Sequence, residues 1–145
     1  ASGPAAAESL ELTYRAVMHV VSAETLQVLD DPRHQVGIPS FSGLALLPDG
    51  KVVPHRYAGW FDVTDGKGDF RGTALWRFAD GDLKAHYEGR IETMADDFDF
   101  SARVHTFTGT GRYAGVSGEG SFKELLAADP EVDGVLSQGE LSVLI

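Results

Sequence analysis

The amino-acid sequence predicts an all-β protein, an eight-stranded antiparallel meander closed into a barrel with a central lumen. Three observations carry that reading. Apolar residues recur at every second position in run after run, which is the period of a half-buried strand. Short turn-forming clusters separate the runs, among them Pro48-Asp49-Gly50, Asp65-Gly66-Lys67-Gly68 and Asp80-Gly81-Asp82. The chain also has 17 glycines, where average usage would give about ten. No segment of helical period is long enough for a β/α fold, and no fixed-period repeat or low-complexity linker divides the chain.

The elements follow in order. Leu10, Leu12, Tyr14, Ala16, Met18 and Val20 alternate through the first run. Leu10, Tyr14, Val17, Met18 and Val21 also fit a helix face, and the strand is the preferred reading of the two. Thr25 to Leu29 reads as a short return strand stopped at Asp30-Asp31-Pro32, because proline has no N–H for a ladder. Phe41 to Leu47 and Lys51 to Val63 flank the Pro48 turn, and Phe70 to Ala79 and Leu83 to Met94 complete three consecutive hairpins. Phe98 to Thr108, a glycine-rich crossing from Gly109 to Gly120, a run from Ser121 to Leu126 and a last strand ending at Ile145 bring the count to eight or nine. A closed sheet of eight strands leaves room for side chains or one small ligand, and closure removes the edges a meander otherwise exposes.

Because a strand's side chains alternate, one phase of each run faces inward. The more apolar phase holds Tyr14, Ala16 and Met18; Phe41, Gly43 and Ala45; His55, Tyr57, Gly59 and Phe61; Phe70, Gly72, Ala74 and Trp76; Ala85, Tyr87 and Gly89; and Phe98, Phe100 and Ala102. Its small residues either leave a cavity among the aromatics or are filled by large neighbours. Its polar atoms are few: three phenols, one imidazole and one indole N–H. Buried polar groups need partners, and an apolar pocket with a few convergent polar groups is the usual form of a small-molecule site. His55 is the candidate for proton transfer, since its ordinary pKa lies near neutrality. Tyr14, Tyr57 and Tyr87 are the candidates to hold a carbonyl or enolate oxygen. Trp76, Met18, Phe41, Phe61, Phe100 and Tyr113 are the candidate substrate contacts. The opposite phase carries charges of both signs, as a solvated outer face would. Trp60 is unexpected there.

Composition excludes several functions. There is no cysteine, so disulfides, thiol nucleophiles and iron–sulfur sites are ruled out. A net charge of -10 disfavours nucleic acid and anionic membrane surfaces. No stretch approaches the roughly 18 apolar residues of a membrane span. The five histidines show no metal-ligand spacing, so no metal is expected. Gly109 to Gly115 follows a meander without the helix a phosphate loop requires. Residues 1–8 are expected to be a disordered lead or a processing or tag scar, and 9–145 one barrel domain, soluble and either cytoplasmic or exported after signal-peptide removal.

The segment from Phe107 to Phe122, FTGTGRYAGVSGEGSF, resembles the stretch before a late strand in the allene oxide cyclase and dirigent superfamily of calycin-type barrels. The run FRGTALWRF from Phe70 to Phe78, with its following hairpin, is similar to that family's meander. The resemblance implies an eight-stranded barrel, in dimers or trimers, whose lumen takes a hydrophobic molecule without metal or organic cofactor, and Tyr113 packed as a lid or plug. The plant cyclase's catalytic pattern does not match this chain. The expected function is a cofactor-independent isomerase, cyclase or lyase acting on a small polyene, oxylipin, phenolic or polyketide-like molecule. The alternatives are a carrier of such a ligand without chemistry, or a structural protein with a filled lumen.

Overall fold

A computed structural model describes residues 8–91, 99–126 and 134–145. The strands are β1 (Ser9–Val28), β2 (Asp31–Leu46), β3 (Val52–Thr64), β4 (Lys67–Phe78), β5 (Gly81–Ile91), β6 (Asp99–Gly109), β7 (Ser117–Leu126) and β8 (Val135–Leu144). Each pairs antiparallel with the next and β8 pairs with β1, closing the eight-stranded barrel the alternation predicts. Between β6 and β7 lies a single 3-10 turn, Gly111–Tyr113. No helix among the described residues is long and apolar enough to cross a membrane.

The first hairpin differs from the sequence reading. Thr25 to Val28 does not return; it continues β1, and β2 starts directly at Asp31. The alternation lapses at Val21 because the β1–β2 register shifts by one between Val20 and Ser22. A bulge moves the inward phase from even to odd positions. Pro32 is tolerated as the second residue of its strand, before β2 begins pairing with β3 at His34. A similar shift in the β5–β6 ladder, with Thr106 at φ 56, passes burial from Val104 to Phe107.

Inward side chains form one core running through Tyr14, Met18, Tyr57, Phe70, Trp76, Leu83, Tyr87, Val104, Phe122 and Leu141. The small inward residues do not leave equivalent voids. A Cβ on Gly72 would collide with the Tyr87 ring, one on Gly139 with Tyr14, one on Gly89 with Phe70 and one on Gly37 with Phe61. Each glycine is a slot for an aromatic ring from a neighbouring strand, so the barrel carries more aromatic side chains than its bore would otherwise admit.

The two barrel ends differ. At the end bearing the β2–β3 and β4–β5 turns, Tyr113 is buried against Phe78 with ring centroids 5.0 Å apart. Arg112 and Tyr113 follow backbone bonds from Thr110 to Asp82 and from Arg112 to Asp80, and Arg112 is ion-paired to Glu8 at 2.7 Å and to Asp80 at 3.3 Å. Glu8, expected in the lead segment, exchanges two backbone hydrogen bonds with Ile145 at this end. The outer wall carries the Arg103–Glu88 ion pair and a His34–Asp62 contact at 2.7 Å. It also carries a row of register partners Leu125, Leu136, Val17 and Leu44, all exposed. Trp60 is covered on the outside by Arg71, its register partner, whose guanidinium lies 4.4 Å from the ring centre.

Candidate functional site

The inward phase brings Tyr14, His55, Tyr57, Trp76 and Tyr87 into one lumen. Ring centroids are 5.6 Å apart for Tyr14–His55, 5.4 Å for His55–Tyr57 and 6.0 Å for Tyr57–Tyr87. The His55 and Trp76 rings stack at 4.8 Å. The lumen has two parts of different character.

In the deeper part, Tyr14, His55, Tyr57, Ala74, Phe122 and Ser137 surround a space too small for one water molecule. His55 Nδ1 donates to the Leu75 carbonyl oxygen at 2.9 Å. Burial pushes the imidazole pKa down to about 4, opposed by that hydrogen bond, so the ring is neutral near pH 7. Burial also pushes the Tyr14 phenol far up, helped by the Glu124 charge; Trp76 and Ser137 pull the other way. Trp76 Nε1 faces that phenol without reaching hydrogen-bond geometry and has no partner.

The second part is a cavity of about 150 Å³ lined by Pro39, Phe41, Tyr57, Trp60, Phe61, Phe70, Tyr87, Ile91, Phe122 and Glu124. It lies toward the β3–β4 turn, away from the Tyr113 end. Of the residues the sequence singled out, Phe41, Phe61, Tyr57 and Tyr87 line it. Tyr14, His55, Trp76 and Met18 are packed behind it, and Tyr113 belongs to the opposite end. The side chain of Phe100, like Phe98, lies outside the described residues. A larger depression of about 530 Å³ sits outside the lumen, against the outer faces of β1, β7 and β8. Thr13, Arg15, Lys123, Gln138 and Glu140 are solvated there, so nothing in it converges on a ligand.

Glu124 is the residue the sequence reading missed. It is 2% exposed, and its Oε1 has no hydrogen-bond partner. On β7 it lies opposite Ser137 of β8, another buried polar residue. Burial pushes its carboxyl pKa up to about 7, with Tyr57 pulling the other way. The Tyr57 hydroxyl is close enough to influence that ionisation, yet the pair misses hydrogen-bond geometry and Tyr57 Oη is also unpartnered. Burial first, and the Glu124 charge second, drive the Tyr57 and Tyr87 phenols far above their ordinary range. The floor of the cavity therefore offers a carboxyl group able to give or take a proton near neutrality, beside a phenol that stays protonated. Among the described residues no three histidine, aspartate or glutamate side chains are placed to hold a metal ion.

No family model and no curated protein matches the chain. Among solved structures, the pterocarpan synthase dirigent protein GePTS1 superposes with a TM-score of 0.55 at 13% identity, covering 99% of this chain and 95% of that one. The pterocarpan synthase dirigent protein PsPTS1 gives 0.46 at 13% identity, covering 99% and 97%. At such identity the first likeness is one of architecture, and the chain is a closed eight-stranded barrel with a dirigent-like fold.

Proposed function

We propose that the barrel takes one small aromatic or unsaturated hydrophobic molecule into the cavity and that Glu124 exchanges a proton with it, in a cofactor-independent isomerisation, cyclisation or lyase reaction. The observation that carries this reading is a buried carboxyl group, one of its oxygens without a partner, among the residues lining an aromatic cavity. Burying its ionised form without a counter-charge costs several kcal/mol, which a purely structural role does not repay. A cavity of about 150 Å³ holds roughly one six-membered ring. The ring walls would fix one conformer. Tyr57 O–H would donate to oxygen charge that develops, and Glu124 would remove or return the proton. His55, packed behind the cavity, holds the Leu75 carbonyl and the Trp76 ring in place and does not touch the ligand.

The second reading is a carrier without chemistry, favoured by Glu124 being the one acid–base group lining the described cavity that titrates near neutrality. Deuterium incorporation separates the two. Phenylacetone incubated with the protein in D2O should exchange its α-protons faster than in buffer, and Glu124→Gln should reduce the excess by about a hundredfold or more. Binding without excess exchange would leave the carrier reading; absence of binding by small aromatic molecules of any charge would overturn both.

A further inference from the structure

We infer that the cavity is selective for a cationic ligand, a small aryl-alkyl amine whose ring lies among the aromatic walls and whose ammonium group meets Glu124. The inference rests on reading the cavity as a small-molecule site and adds the charge of the ligand's polar end.

The electrostatics of the lumen are one-sided. Tyr57 and Glu124 line the cavity, and Glu124 Oε1 and Tyr57 Oη are buried without partners. Among the described residues, the titratable and polar groups facing Glu124 are Tyr57 from β3, Tyr87 from β5, Tyr14 from β1 and Ser137 from β8, none of which carries positive charge. The lumen's imidazole, His55, is committed to Leu75 and is neutral near pH 7. Among the described residues no lysine or arginine lines the cavity; Arg71 sits on the outer face over Trp60. A buried carboxylate without a counter-charge is strongly disfavoured. The component missing from the site is a cation that also donates hydrogen bonds.

An ammonium group supplies both. It gives the Glu124 carboxylate a charge-assisted donor. Phe41, Tyr57, Phe70, Tyr87 and Phe122 offer ring faces that attract cations and repel anions. The net charge of -10 would favour the approach of a cation as well. A carbonyl would meet Glu124 only in its protonated form, a hydroxyl could donate to the carboxylate but leaves its charge uncompensated, and a carboxylate would meet like charge.

Proton linkage makes the distinction measurable. Near pH 6.5 part of the Glu124 population is protonated, so binding an ammonium ion must expel that proton, whereas binding a neutral acceptor must draw one in. The experiment is calorimetric titration of the full chain with phenethylamine, 2-phenylethanol and 3-phenylpropionate, at pH 5.5 to 8.5 and in two buffers of different ionisation enthalpy. The expected result is that phenethylamine binds at least about tenfold tighter than the alcohol at pH 7.5. Its affinity should rise with pH and level off above about 7, with proton release at pH 6.5. Glu124→Gln should bring amine affinity down to that of the alcohol. The wild-type pH slope and proton count stand as the test should that variant fail to fold. Equal or tighter binding of the alcohol, or proton uptake with the amine, would overturn the cationic assignment and leave the small-molecule site intact. Failure of all three probes to bind would overturn the site and the assignment together.

Discussion

Two buried titratable groups in one lumen oppose each other in their effect on stability. Glu124 has an ordinary pKa of 4.5 in the unfolded chain and about 7 in the barrel. Between those values the folded state holds a proton that the unfolded chain has released, so stability falls as pH rises. His55 has an ordinary pKa of 6.5 and about 4 when folded. Over that window the unfolded chain holds the extra proton, so stability rises with pH. Each amounts to about 3 kcal/mol, and from about pH 4.5 to 6.5 they nearly cancel. Urea denaturation across a pH series should show Glu124→Gln gaining about 3 kcal/mol on the wild type between pH 4.5 and 8. A pH-independent difference would mean that Glu124 is solvated. His55 and the three lumen tyrosines could be read from alternation because each sits in a run with apolar residues two positions away. Glu124 could not be read by hydropathy, since its neighbour Leu125 points outward at 50% exposure while the carboxylate points in. Counting two positions from Phe122, an inward aromatic, would have found it, as counting from Leu141 would have found Ser137.

At the scale of the strands, the hairpin turns were legible where proline, aspartate and glycine cluster, as at Pro48 to Gly50. The β1–β2 turn was not. It is made by Leu29 at φ 51 and Asp30 at φ 59, and a leucine in left-handed backbone has no turn signature. The bulge at Val21 concealed the continuity of β1 for a related reason, since alternation is read within one register only. Inward glycines were ambiguous in the sequence between space and packing, and the ring slots resolve Gly72 and Gly89 as packing. Gly72→Ala should therefore displace the Tyr87 ring and strain the backbone near Ala58, costing about 1–3 kcal/mol in chemical denaturation and narrowing the cavity. Wild-type stability in that variant would show that the ring has room to move.

Among the described residues, the barrel is plugged at one end and carries its cavity toward the other. The Phe78–Tyr113 pair and the Arg112 ion pairs sit at the closed end, while the cavity lies toward the β3–β4 turn. The strand count and closure were predictable because alternation, turn chemistry and length all agree on them. The polar arrangement inside was not, because it depends on which strands the register brings opposite each other: Glu124 beside Ser137, and Tyr57 across from both Phe41 and Ala74. The central claim is that this closure buries a working carboxyl group at the base of a ligand cavity. Carboxyl-carbon NMR of the labelled protein from pH 3 to 9 tests it most directly. Glu124 should titrate near 7, with a midpoint that moves when a small aromatic ligand fills the cavity. A midpoint near 4.5 that ignores every ligand would contradict the account.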